Sequence, residues 1–293
     1  MAAESDNITP IWFTYTGEEV IPEDATHIVV QGMAVIPERT FEDHPNIVEV
    51  ICHEDVTKIE ECAFSCCYSL RRVIMPGVKE VRYAAFECCY VLSDVECGEL
   101  EIVGDEAFSD CKSLRRINLP STRIVQRCSF YRCSNLTHVK FSSKLERIEE
   151  YAFGYCGPME RIAIPLKNGL ITRDNVFKGC TKLKHVELVK GAVHETIATL
   201  YFKKWRNDVY GEIDSINRIL PTYFSSRLRC SRKARAIRTW VRSVLKKVMH
   251  YQKEHQLIVG EAGLTLKSAL PQEIVMNHVL PFLELPSHTK DDK

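Results

Sequence analysis

Thirteen cysteines stand in 293 residues, and thiolates are well suited to hold zinc or to close disulfides. Cys62, Cys66, Cys88 and Cys128 fall at spacings that would line them up on neighbouring turns of a repeat. Structural zinc sites, however, read as C-x2-C pairs or as histidines at finger spacing. Neither pattern occurs, so no metal is expected. Six other cysteines, Cys67, Cys89, Cys111, Cys133, Cys156 and Cys180, each follow a phenylalanine by three residues. A position that takes the same small side chain six times is a packing position, and Cys is among the most often buried residues.

Other reactive patterns are missing from the sequence. It has no glycine-rich phosphate loop, nucleophile elbow, H-E-x-x-H pair or calcium loop, and its ten histidines are scattered. The reading is of no enzyme and no cofactor. The elements that position the cysteines therefore carry the information.

Those elements repeat. Phe41, Phe64, Phe86, Phe108, Phe130, Phe153 and Phe177 recur at steps of 22 to 24 residues, each with the same neighbours. An aliphatic residue stands five before (Ile36, Ile59, Val81, Val103, Val125, Ile148), another six after and a third nine after, as Leu114 and Ile117 follow Phe108. In "SLRRINLP" the apolar Ile117 and Leu119 alternate with Arg116 and Asn118, the period of a strand with one buried face. Pro76, Pro120 and Pro165 end such strands, because proline donates no ladder hydrogen bond. A second extended piece, such as "KLERIEE", leads into the Ala-Phe step, read as a tight helical turn. One unit cannot bury these side chains alone, whereas stacked copies share a core. Seven rungs spaced like neighbouring strands make a stack on the order of 30 Å long, with Phe64, Phe86, Phe108, Phe130, Phe153 and Phe177 in its core.

The pattern I-x3-AF-x2-C-x2-L-x2-V-x-(I/L)-P, from Val35 to about Leu188, resembles the BspA-like leucine-rich repeats. The resemblance implies a short-period solenoid. With the segments that flank it, the fold class is α+β: about seven repeats of 22–24 residues, followed by an all-helical segment. The expected division is a cap over 1–35, the solenoid over 36–191 and a helical region over 192–293. In the cap, "IWFTYTGEEVIPEDATHIVVQGMAV" reads as two strands with a turn at Thr16-Gly17.

Charge changes where the repeats stop. From Ala192 onward 17 Lys and Arg face 10 Asp and Glu, while the whole chain is formally neutral. His194 to Leu220 has helical spacing up to Pro221, and its first turns are expected to seal the last rung. A second helix, from near Ser231 to about Gly260, sets an apolar stripe of Ile237, Trp240, Val241, Val244, Leu245, Val248, Tyr251 and His255 against Arg232, Lys233, Arg235, Arg238, Arg242, Lys246 and Lys247. Such a helix packs on its own protein, self-associates, or binds nucleic acid or an anionic membrane surface. "INRILP", "AIRTWVRSVLKKVMHYQKEH" and "LTLKSAL" are similar to the helical C-termini of BspA-like proteins of algae such as diatoms, a resemblance that implies no established chemistry. "LPQEIVMNHVLPFLELP", from Leu270, is similar to the opening helix of an F-box, with only Ser287 to Lys293 after it. It is read as a terminal helix burying Ile274, Val275, Val279 and Leu280.

No apolar run reaches the ~18 residues of a membrane helix, and "MAAESDNITP" has no basic, apolar leader pattern. The expected location is cytoplasmic, or nuclear, with free thiols. Stacking turns one outward strand position into a column of Glu49, Arg72, Asp94, Arg116, His138, Arg161 and His185, beside a second column opened by Ile51 and Ile74. Alternating charges along the first make either a solvated ladder or a recognition face. The candidate partner-binding residues are Ile51, Arg72, Ile74, Asp94, Arg116, His138 and Arg161. The expected function is a protein-interaction scaffold, with binding of nucleic acid or an anionic surface through 227–247, or an F-box-like adaptor role through 270–285, as alternatives.

Overall fold

A computed structural model describes residues 9–189, 191–200, 202–220 and 231–269. Its strands are β1 (Trp12–Tyr15), β2 (His27–Val30), β3 (Val35–Ile36), β4 (Glu49–Cys52) and β5 (Lys58–Ile59). They continue with β6 (Arg72–Ile74), β7 (Glu80–Val81), β8 (Asp94–Glu96), β9 (Ile102–Val103) and β10 (Arg116–Leu119). The last are β11 (Ile124–Val125), β12 (His138–Phe141), β13 (Arg147–Ile148), β14 (Arg161–Ile164) and β15 (His185–Leu188). Three helices follow among the described residues: α1 (Ala192–Thr199), α2 (Lys203–Ile219) and α3 (Ser231–Ala269).

Every strand pairing is parallel, as a solenoid of about seven turns requires. One face carries β1-β2-β4-β6-β8 and then β10-β12-β14-β15, and a second carries the two-residue strands β3-β5-β7-β9-β11-β13. The two N-terminal strands pair in parallel, Trp12 opposite His27, so β1 is one more rung rather than half of a hairpin. Tyr15 then closes the core, edge-on to Phe41 with centroids 5.2 Å apart.

The third side differs from the expected helical turn. Two residues flanking each anchor, two before and two after, have left-handed backbone in six rungs, from Arg39 (φ 56°) and Asp43 (φ 58°) to Tyr151 (φ 57°) and Tyr155 (φ 62°). This turn points the N–H groups at the next rung: Cys62 N donates to Tyr83 O at 2.9 Å, Phe64 N to Ala85 O at 2.8 Å and Cys66 N to Glu87 O at 2.8 Å. The turns thus form a third ladder, whose bonds offset a cost of about 1 kcal/mol or more per left-handed residue. Only the last rung has a helical turn, the 3-10 segment Asp174–Phe177, followed by left-handed Gly179.

Inside, the seven phenylalanines form one stack. Neighbouring centroids lie 4.8 to 5.9 Å apart with rings within 8° of parallel, and Phe64 through Phe177 are wholly buried. The repeated cysteine does more than fill space. Each Sγ donates to the carbonyl of the preceding anchor: Cys67 to Phe41 at 3.0 Å, Cys89 to Phe64 at 3.1 Å, Cys111 to Phe86 at 3.2 Å, and likewise to Cys180. Burial pushes the Cys67 thiol up to about 12 and Cys111 well above its ordinary value, so these remain S–H donors. Cys111→Ala is expected to lower unfolding stability by about 1–2 kcal/mol, the sum of a modest hydrogen bond and a small cavity. Urea denaturation measures it, and an unchanged midpoint would show the thiol to be filler only.

Two compact units form, one of Met1–Val189 with Asn217–Arg238 and one of Lys190–Ile216 with Thr239–Lys293. The helix expected over His194–Leu220 is divided: Leu200 is extended (φ −58°, ψ 130°) and ends α1. α3 runs about ten residues beyond the expected end. Ile274, Val275, Val279, Leu280 and the F-box-like segment lie outside the described residues.

Candidate functional site

The strand face has the expected register up to one point. Glu49, Arg72 and Asp94 are consecutive partners, as are Arg116, His138, Arg161 and His185. Between β8 and β10 the sheet is interrupted, so Asp94 and Arg116 do not pair. β8 has only three residues and Gly98 stands two beyond its end, a weak position for a strand. Val95, inward by register, is half-exposed there, whereas Val73 and Ile117 are buried. The β7-β9-β11 ladder and the Phe86–Phe108 stack run on unbroken, which confines the gap to this face.

The two halves of the column differ in charge. Arg72 is saturated by Glu49 at 3.5 Å, Asp94 at 3.3 Å and Glu96, whose hydrogen bond is the main cause of its raised pKa. Ile51 and Ile74, expected to be exposed, are half-buried. On the far side Arg161 pairs with Glu187 at 3.0 Å and His138 Nδ1 lies 2.9 Å from Thr137 Oγ1. Exposed Arg116 and Lys140 form no ion pair among the described residues. They flank a depression of about 770 Å3 that runs from Val95 to Glu187.

The four cysteines whose spacing would line them up on neighbouring turns do not converge. Cys66 and Cys88 occupy the left-handed position after the anchor in adjacent rungs, while Cys62 and Cys128 occupy the one before it, three rungs apart. Among the described residues no group of three or more His, Cys, Asp or Glu is placed to hold a metal ion.

The family described as BspA type leucine rich repeat region matches in six copies, over residues 34–124 and 101–227. The chain belongs to the BspA-type leucine-rich repeat family. Its repeats are similar in fold to a leucine-rich repeat protein of T. pallidum, at 20% identity, covering 66% of this chain and 85% of that one, with a TM-score of 0.39. A leucine-rich repeat protein of Eubacterium ventriosum is 17% identical over 56% of this chain and 60% of its own, with a TM-score of 0.35. The pneumococcal vaccine antigen PcpA is 16% identical over 61% and 66%, with a TM-score of 0.33. No curated protein matches the chain. Leucine-rich repeat proteins are in general protein-interaction scaffolds.

The start of α3 completes the BspA-type unit, and this changes the reading of the basic helix. Lys233, expected on a charged face, is 2% exposed, and its Nζ donates to the carbonyls of Cys180 at 2.8 Å, Thr181 at 3.2 Å and Leu183 at 2.8 Å. Arg235 and Arg238 both bind Asp174. Arg235 above all holds that carboxyl below its ordinary value. The folded pKa being depressed, this contribution is present above about pH 4 and is lost as pH falls through the lowered value.

In the second unit Lys247 binds Asp208 at 3.1 Å and Glu212 at 3.5 Å, and Tyr251 Oη donates to Asp208 at 2.7 Å. Arg232, Arg242 and Lys246 alone of the seven basic residues stand exposed without a described ion pair. Of the apolar stripe, Ile237, Trp240, Val241, Val244 and Val248 are buried, and Leu245 and Tyr251 are half-buried. His255, counted in that stripe, is 7% exposed, and burial lowers its pKa. No described helix is long and apolar enough to cross a membrane.

Proposed function

We propose that this BspA-type protein is a non-enzymatic scaffold that binds an acidic segment of a partner protein across β10, β12, β14 and β15. The observation that carries the reading is the pair Arg116 and Lys140, exposed and unpaired beside the depression that opens at the sheet break. Solenoids commonly bind through such extended surfaces. Arg72 and Asp94, which spend their charges on each other and their neighbours, lie outside the contact. Binding of nucleic acid or an anionic surface through 227–247 has less to draw on, since Lys233, Arg235, Arg238 and Lys247 are engaged within the protein. The F-box-like segment falls outside the described residues. The twelve cysteines among the described residues are all free thiols, which supports a reducing compartment, cytoplasmic or nuclear.

Affinity capture in the presence of nuclease tests the reading. The double variant Arg116→Glu, Lys140→Glu is expected to lose a specific partner by about tenfold or more, while Arg72→Glu retains it. Equal retention by both folded variants overturns the strand-face reading. Capture that collapses between low and moderate salt and is abolished by nuclease favours nucleic acid instead.

A further inference from the structure

We infer that the turn face of the repeats carries a second site, built to take a short oligosaccharide. A cavity of about 500 Å3 opens there across the rungs from Phe86 to Phe177, within the ~300–1,000 Å3 range of ligand sites. Glu87, Glu106 and Asp110 line one side, and Arg127, Arg132 and Lys178 the other. Opposite charges that face one cavity usually close on each other. Here none of the described ion pairs joins the two sides: Asp110 pairs with Lys112 at 3.7 Å, while Arg132 and Lys178 lie over the rings of Tyr131 and Tyr151. The Glu87 carboxyl is held above its ordinary value by burial, and by Glu106 and Asp110 beside it.

Three tyrosines form the end of the cavity, and the sequence makes room for them. Tyr131 stands edge-on to Tyr151 at 6.4 Å and to Tyr155 at 5.4 Å. Lys178 Nζ fixes the group, 3.4 Å from Tyr151 Oη. Equivalent rungs place Glu87, Ser109 or Lys178 where this one has Gly154, and a Cβ there would come within 2.8 Å of the Tyr131 ring. Gly179, left-handed at φ 79°, likewise leaves space for Tyr155, whose Cα a Cβ would approach to 2.9 Å. Both glycines are needed for the tyrosine cluster as it stands.

The balance of charge selects the ligand class. A cation gains on the carboxylate side and loses on the other, and an anion does the reverse. A neutral ligand rich in hydroxyls uses both, donating to Glu87 and Glu106 and accepting from Arg127 and Arg132, while its C–H faces lie on tyrosine. Tyr155, 44% exposed, offers such a face. A sugar ring has this chemistry.

Saturation-transfer NMR and calorimetry on the full chain test the inference with maltotriose, cellotriose, mannotriose and triacetylchitotriose, and with the zwitterionic dipeptide lysyl-glutamate as a comparison. At least one trisaccharide is expected to bind and to show transfer to its ring C–H protons. Gly154→Ala and Tyr155→Ala are expected to weaken it by about tenfold, and Glu38→Gln, exposed in the rung of Phe41 and outside both surfaces, to leave it unchanged. Tyr155 is exposed, so its variant reports on the site even where Gly154→Ala disturbs the fold. No transfer to any of the four sugars at millimolar concentration, undiminished binding by both variants, or binding of the dipeptide alone overturns the site.

Discussion

Phe108→Ala is expected to lower the unfolding free energy of the repeat unit by about 3–5 kcal/mol, as truncation of a buried aromatic does. Phe108 lies in the middle of the stack, with Phe86 at 5.1 Å and Phe130 at 5.4 Å, and its side chain is wholly buried. Removing the ring therefore leaves a void on two interfaces at once. Stacked repeats are stabilised largely by their interfaces with nearest neighbours, so the loss propagates to adjacent rungs instead of remaining local. Urea denaturation gives the magnitude, and hydrogen exchange at the rungs of Phe86 and Phe130 gives the spread. Phe177→Ala, with one phenylalanine neighbour at 5.9 Å, is expected to cost less. If both variants lose the same small amount and exchange is unchanged on either side, the ring stack is not what couples the rungs.

Lys233→Met is expected to cost about 2–4 kcal/mol, because three charge-assisted bonds disappear while the volume is kept. The carbonyls of Cys180, Thr181 and Leu183 belong to the rung of Phe177, after which the described residues form no further rung. The ammonium takes the place of that missing rung. Hydrogen exchange is expected to accelerate in β15 and the Gly179–Leu183 turn well before it changes near Phe64. Lys233→Arg, whose planar head does not fit a site shaped for an ammonium, is expected to recover only part of the loss. Wild-type stability in Lys233→Met would show that water serves these carbonyls equally well.

Much of this molecule is written along the chain. The steps of 22 to 24 residues between phenylalanines, the aliphatics at fixed offsets and the two-residue alternation in "SLRRINLP" determine the rungs, their parallel pairing and the column register, because identical units stacked in register bury identical positions. The apolar stripe of α3 was equally legible, since burial at helical spacing needs only the local pattern. The left-handed pairs beside each anchor were not legible. Arg39, Cys62, Ala84 and Glu106 are not residues that favour positive φ, and hydrogen bonds to the next rung, with those inside each turn, hold them there. A break between β8 and β10 is marked in sequence by Gly98 alone, too weak a signal to distinguish from a tolerated glycine.

The chemistry of the surfaces was decided by tertiary structure throughout. Arg72 and Arg116 are the same residue type at the same repeat position, yet one is enclosed by three carboxylates and the other forms no ion pair among the described residues. Lys233 reads as one charge among seven on a basic helix and becomes the cap of the last rung. Gly154 is silent until the Tyr131 ring is seen against it. A repeat fixes which positions are inside, because burial follows from period. It does not fix which outward charges meet, because that depends on neighbours a rung away or fifty residues along the chain.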